Sequence, residues 1–509
     1  MTATSTVTDR EPTESTALNH RAAQRAETRM YIDGELRDAR SGKQFDNISP
    51  ATGEVLGTTS AAGPEDMVAA IAAARRAFDE TEWSTNHGLR KRCLLQLQEA
   101  LESESEELRE EIIAEVGAPL MTTMMAQVDW PLADALKYPT DLIDSFAWSR
   151  ELGVGKAGDG QRRVVKEPVG VVAAIAPWNY PFEIVSNKLG QALATGNTVV
   201  LKPDPNTPWT STRLGRLIAE HTDIPAGVVN VVPTPDNEVA ELLVSDPRVD
   251  LVSFTGSTQV GRRIAGRAAE TLKRVFLELG GKSALVLLDD ADLDAAIPST
   301  LQVCFHAGQG CAINSRLLVP AHRYDEVIAR VVEMFEMIRP GDPARGDTLL
   351  GPVINARQRD RILGFVDRAK AAGAQVLTGG AAPTDLHPEL TGGSYVLPTL
   401  VAGTDNSAEI ARQEVFGPVM VVLPYSDDAE ALALANDSDY GLSGSVFTAS
   451  ADRGMDFANR IRAGSFSVNG GLFYGADAPY GGYKASGIGR QNGIEGFEQY
   501  LETKTIGYL

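Results

Sequence analysis

Val171-Val172-Ala173-Ala174-Ile175-Ala176-Pro177-Trp178-Asn179-Tyr180-Pro181 is the stretch on which the fold is decided. Six apolar residues in a row, without polar alternation, describe a strand buried on both faces. Two prolines then stiffen the turn, and a helical pattern follows over 183–194. The unit recurs downstream. Strands are predicted over 198–201, 228–232, 251–254 and 275–277, with helices over 210–221, 237–244 and 260–270 between them. Such alternation predicts a parallel sheet covered on both faces, with ligands bound beyond the carboxyl ends of its strands. Asn179, Lys202, Ser257 and Glu278 all lie just after predicted strands, so four polar side chains share the end where a site is expected.

A second alternating block runs over 283–469. It carries Phe305-His306-Ala307-Gly308-Gln309-Gly310-Cys311-Ala312-Ile313-Asn314-Ser315-Arg316, between a helical pattern over 292–303 and a short apolar run over 317–319. Two glycines just before a thiol allow a tight turn, and a thiol on a loop can be reached by a substrate. Cys311 therefore reads as a nucleophile or as a small packed side chain. Glu278, after an apolar strand and before Gly280-Gly281, reads as a carboxylate with a raised pKa suited to general base work, or as an ion-paired structural group. Asn179 reads as an oxyanion donor or as an Asx turn. Phe254-Thr255-Gly256-Ser257-Thr258-Gln259-Val260-Gly261 is strand, turn and helix. Its helix N-terminus offers N–H groups to a phosphate, though an ordinary turn has the same outline. Lys202 alone reads as a solvated charge. Glu414-Val415-Phe416-Gly417-Pro418 reads as a loop before a strand.

The bulk composition narrows the classes. The chain has 509 residues, 47 Lys and Arg against 68 Asp and Glu, and a formal net charge of −21. That excess argues against a general nucleic-acid or anionic-membrane surface. No run of 18 apolar residues is present, so no membrane-spanning helix is expected. Three cysteines, Cys93, Cys304 and Cys311, make no disulfide framework and no zinc spacing, so no metal is expected. A reducing, cytoplasmic compartment is the expectation. The first residues, 1–28, are polar and lack the apolar segment of a secretory signal; they are expected to be a disordered tail.

Pro64 opens a helix whose apolar positions are Val68, Ile71, Ala72 and Phe78. Residues 89–116 form a second long amphipathic pattern ended by Gly117 and Pro119, and 132–148 a third. A glycine-rich turn over 153–160 precedes a short hairpin strand, and an extended run over 500–508 closes the chain.

The motifs Pro177-Trp178-Asn179-Tyr180-Pro181, Glu278-Leu279-Gly280-Gly281-Lys282 and Gly308-Gln309-Gly310-Cys311, in that order, resemble the aldehyde dehydrogenase superfamily from about Met30 to the C-terminus. The resemblance implies two doubly wound α/β domains, a Rossmann-like cofactor domain and a catalytic thiol domain, plus a small β oligomerisation flap. It divides the chain into an NAD(P)-binding domain at 29–151 and 171–279 and a catalytic domain at 280–482. The oligomerisation hairpin and C-terminal strand fall at 152–170 and 483–509. The flap is expected to join a neighbouring subunit and the tail to pair with another subunit's flap, in a homodimer or homotetramer.

By the same resemblance Cys311 adds to an aldehyde, Asn179 and the Cys311 amide hold the oxyanion, and Glu278 activates the water that hydrolyses the thioester. The cofactor-binding set is Trp178, Lys202, Gly256, Ser257, Gly261, Leu279, Glu414 and Phe416. Here Glu414 holds the nicotinamide ribose and Phe416 packs on the nicotinamide. Pro205 stands where relatives carry a ribose-binding glutamate, so NAD is expected with NADP admitted. Tyr180, Glu183, Asn187, Ile313, Phe473, Tyr474 and Tyr480 are implied to line the aldehyde tunnel. Its aromatics suit apolar or aromatic aldehydes, Asn187 replaces a common tryptophan, and the lack of an unpaired arginine disfavours semialdehyde acids. The alternatives are a CoA-acylating relative, which generally lacks the match to Glu278, and a non-catalytic binding or structural copy, which would have lost Cys311, Glu278 or Asn179.

Overall fold

The computed structural model describes residues 13–156, 158 and 160–509. Its first sheet has the strand order Val229–Val231, Thr198–Lys202, Val171–Ile175, Leu251–Thr255, Arg274–Glu278, all parallel. Every residue of Val171–Ile175 is buried, which is why that run carries no polar alternation. In chain order these strands run 3-2-1-4-5, so the order reverses between Val171–Ile175 and Leu251–Thr255. A crevice opens at such a reversal, beyond the carboxyl ends of the strands. Met30–Ile32, with Glu35–Arg37 outside it, and Gly487–Ile488 close the two sides antiparallel.

The second sheet has Ser283–Leu287 between Asn314–Pro320 and Gly444–Phe447, with Val419–Tyr425 and Thr399–Ala402 beyond. These neighbours are parallel too, and Gln375–Thr378 alone pairs antiparallel at the far edge. Only Leu279 to Lys282 separate the last strand of the first sheet from Ser283–Leu287 of the second. The backbone has no room for side chains there. A Cβ on Gly280 would stand 2.2 Å from the Glu414 carboxylate, and one on Gly281 would stand 2.8 Å from the Cys311 carbonyl oxygen.

Several expectations are corrected. Of the supposed disordered tail, residues 1–12 lie outside the described residues, but Glu14–Arg25 is a helix capped by Thr13. Leu18 and Ala22 pack against Ile113, Ala114 and Ala344, and the Ser15 N–H donates to Asp342 at 3.1 Å. One apolar residue per turn suffices because the partner surfaces are already fixed. Removing the chain before Glu27 is therefore expected to cost about 2–3 kcal/mol, chiefly from losing the burial of Leu18 and uncovering Ile113, Ala114 and Ala344. Urea unfolding of the two chain lengths measures this; an unchanged midpoint would mean the helix contributes nothing.

The helix Pro64–Glu80 buries Met67, Ala70, Ile71, Ala74 and Ala77 and leaves Val68 exposed, so the buried stripe is rotated from the predicted one. The pattern over 89–116 is two helices, His87–Ser103 and Ser105–Val116. They break at Glu104, whose carboxylate pairs with Arg213 and Arg216. The pattern over 132–148 likewise divides into Asp129–Asp134 and Lys137–Ser145, each with a proline in its first turn. The predicted helix over 292–303 is a single α-turn followed by a 3₁₀ segment, Ile297–Val303, with Pro298 near its start.

The hairpin is present as Ser149–Val154 and Gln161–Pro168; residues 157 and 159 of its turn lie outside the described residues. The C-terminal strand Leu501–Tyr508 pairs with Gln161–Pro168 of its own chain, in unbroken register from Leu501 opposite Pro168 to Tyr508 opposite Gln161. The expected pairing with another subunit's flap is thus replaced by a three-stranded sheet within one chain. Gly170 returns the chain to the first sheet directly after the hairpin, which keeps the tail within reach.

Candidate active site

Cys311 follows an abrupt turn. His306, Ala307 and Gly308 take successive positive φ values of 48°, 51° and 71°, and a Cβ on Gly308 would stand 2.1 Å from the Gly417 carbonyl oxygen. Two side-chain-bearing residues therefore share a left-handed conformation that sequence reading assigned to glycine. Gln309 anchors the loop: its Oε1 accepts from the Ile354 N–H at 2.8 Å. The Gln309 carbonyl accepts from Asn179 Nδ2, also at 2.8 Å, and the Asn179 carbonyl accepts from Gln127 Nε2 at 2.7 Å. Asn179 is buried, and this contact ties the first sheet's strand end to the thiol loop.

The thiol is half-buried, and Cys311 Sγ lies 3.2 Å from the Tyr480 hydroxyl. Burial pushes its pKa up to about 12; the Tyr480 hydrogen bond opposes this, while Glu278, Glu414 and Glu183 add to it. Glu278 is the last residue of its strand, and its Oε1 is buried without a hydrogen-bond partner. Burial raises its pKa to about 8 against the pull of Lys188 and Arg490. Cys93 and Cys304 are core thiols, both buried.

Cys311 and Glu278 open into one cavity of about 470 Å³. All seven residues predicted for the tunnel, Tyr180, Glu183, Asn187, Ile313, Phe473, Tyr474 and Tyr480, line it. Asn179 does not. The prediction missed Trp130, whose ring meets Tyr474 edge-on at 5.6 Å, and Phe305, Phe447 and Leu472. Trp130 follows a π-helical turn, Thr123–Gln127, that no local signal announced.

The predicted cofactor residues form a second group around the strand ends. Trp178 and Phe416 meet edge-on at 5.4 Å, with Phe416 at φ 58°. The Gly281 N–H donates to Glu414 Oε1 at 3.0 Å, and burial raises the Glu414 pKa to about 7. Ser257 caps the helix Thr258–Ala268. A Cβ on Gly256 would stand 2.5 Å from the Phe254 ring, and one on Gly261 would stand 2.5 Å from the Leu279 side chain. Lys202 ends its strand, and burial lowers its pKa. Asp204, beside Pro205, spends Oδ1 on the Asn206 N–H at 2.9 Å. A helix start with free N–H groups, a lysine and a carboxylate at the strand reversal fit a dinucleotide. Among the described residues no helix is long and apolar enough to cross a membrane.

The comparisons agree over nearly the whole chain. The model of the Aldehyde dehydrogenase family matches residues 36–506. Betaine aldehyde dehydrogenase from Bacillus subtilis is 38% identical over 479 residues, 94% of this chain and 96% of that protein. The 3-succinoylsemialdehyde-pyridine dehydrogenase of a Pseudomonas species is 39% identical over 483 residues, 94% and 98% of the two. Among solved structures, betaine aldehyde dehydrogenase from Staphylococcus aureus in complex with NAD+ superposes with a TM-score of 0.90 at 36% identity, covering 96% of this chain and 95% of that one. A point mutant of aldehyde dehydrogenase from Bacillus cereus gives 0.91 at 34% identity, covering 98% and 99%. The chain belongs to the aldehyde dehydrogenase family and is an aldehyde-oxidising oxidoreductase.

Proposed function

We propose that this chain oxidises an aldehyde to its carboxylic acid with NAD+ or NADP+ through a thioester on Cys311. One observation carries the reading: a half-buried thiol and a buried, unpartnered carboxylate oxygen face a single cavity. Cys311 Sγ loses its proton to solvent and adds to the carbonyl carbon as the thiolate. The carbonyl oxygen becomes negative against the Asn179 amide, which keeps one N–H free after donating to Gln309, and against the Cys311 backbone N–H. Collapse of that oxyanion releases the hydride that a bound oxidised nicotinamide accepts, and a thioester remains on sulfur. Glu278 then takes a proton from water as the water attacks, and the acid leaves with the thiol restored.

Lys202, the Ser257 turn and Glu414 are proposed to hold the dinucleotide, with Trp178 and Phe416 beside its reactive ring. Because no carboxylate occupies position 205 and Asp204 is engaged in its own turn, both cofactors are admitted, NAD first. The association into a homodimer or homotetramer is likewise proposed, through the open edges of the three-stranded sheet. The test is absorbance of reduced nicotinamide with an aldehyde panel, NAD and NADP in parallel and no CoA. Reduction is expected with at least NAD. A rate that appears only on adding CoA would replace hydrolysis by acyl transfer.

A further inference from the structure

Glu183 is unusual for a wall rich in aromatic rings. It lies in the first turn of the helix Pro181–Ala194. Both of its hydrogen bonds converge on one oxygen: the Tyr474 hydroxyl and Asn187 Nδ2 each donate to Oε1. Among the described residues Glu183 Oε2 has no hydrogen bond and Glu183 has no ion pair. Oε2 is not one of the buried orphaned atoms either. Lys188, on the same helix, is turned elsewhere: its Nζ donates to Ser253 Oγ at 3.0 Å and lies over the Phe276 ring.

The charge of the whole cavity has one sign. Asp134, Glu183 and Glu278 line it, and no lysine, arginine or histidine does, among the described residues. The rings of Trp130, Tyr474 and Tyr480 form a continuous edge-to-face series, with the second contact at 5.1 Å. That series ends at the Tyr480 hydroxyl against Cys311. Two tyrosine rings therefore separate the open carboxylate oxygen from the sulfur. Aromatic rings and a desolvated carboxylate attract the same partner, an organic cation, and repel an anion.

We propose that this cavity selects aldehydes bearing a quaternary ammonium or protonated amine, with Glu183 Oε2 as counter-ion and the rings of Trp130 and Tyr474 as packing surface. The proposal rests on the aldehyde-oxidising reading of the Cys311 site. It revises the expectation of purely apolar or aromatic substrates, which weighed the rings and left out the carboxylate. Burial raises the Glu183 pKa to about 7, against the Tyr474 hydrogen bond, Lys188 and Asn187; assays at pH 9 therefore keep it ionised.

The test pairs trimethylammonioacetaldehyde, and separately its homologue with two further methylenes, with the neutral tert-butyl isostere of each. The full-length protein is expected to favour the cationic member by about 10- to 100-fold in kcat/KM for at least one chain length. In Glu183→Gln that ratio is expected to fall toward one. A quaternary ammonium alcohol should compete with aldehyde in the wild type, which needs no variant to fold. Equal or better use of the neutral isosteres overturns the cation reading and leaves aldehyde oxidation standing. So does an equal loss of kcat for both members in Glu183→Gln, which would assign Glu183 to proton transfer. No cofactor reduction with either member or with any panel aldehyde removes both readings together.

Discussion

Cys311→Ala is expected to lower aldehyde oxidation by at least about four orders of magnitude, because the variant loses the covalent route and retains only binding. Cys93→Ala and Cys304→Ala serve as controls, since both thiols are packed in the core and neither faces the cavity. The measurement is cofactor reduction under saturating aldehyde, with mass spectrometry for an acyl adduct on the wild type. Residual turnover within tenfold of wild type would remove the thiol from the mechanism. Thermal unfolding should accompany it: Cys311 is only half-buried, so its truncation is expected to leave the fold intact.

The second large effect is expected at Glu278. Glu278→Gln keeps the side chain's size and removes its basicity, so hydrolysis of the thioester should slow by about 10²- to 10⁴-fold. Thiol addition is expected to be less affected. Rapid mixing should therefore show a burst approaching one reduced cofactor per active site, followed by a slow steady state. The pH profile supplies an independent check. The Glu278 carboxyl is raised to about 8, and it accepts protons only when ionised, so the wild-type rate should climb through pH 8 and level off above it. The thiol, raised by burial as well, gives an alkaline dependence to the acylation step, read in the burst rate and not in the hydrolysis-limited steady state. In Glu278→Gln the limb near pH 8 should vanish. A variant with an unchanged limb and no burst would show that another group is the base.

The parallel sheets were legible because buried strands write themselves as continuous apolar runs, and Val171 to Ile175 needs no partner to be read. The strand-end placement of Asn179, Lys202, Ser257 and Glu278 followed from the same alternation. What escaped depends on distant partners. Ser15 and Leu18 look like part of a polar tail until Asp342 and Ile113 are brought beside them. Glu104 interrupts a helical pattern because Arg213 and Arg216 lie across from it, more than a hundred residues away. The strand over 501–508 shows an extended pattern but not which chain's hairpin it joins. Glu183 appeared as one tunnel residue among several; its significance came from Tyr474, 291 residues away, holding only one of its two oxygens.

The low polarity and the carboxylates around Cys311 have a consequence for durability. A sulfur kept as thiol in the resting chain reacts slowly with peroxide, because the ladder toward sulfenic and sulfinic acid starts from the thiolate. The same surroundings that make the nucleophile wait for its aldehyde shelter it from oxidants and alkylating agents between turnovers. Its working lifetime is thereby set by how seldom the proton leaves.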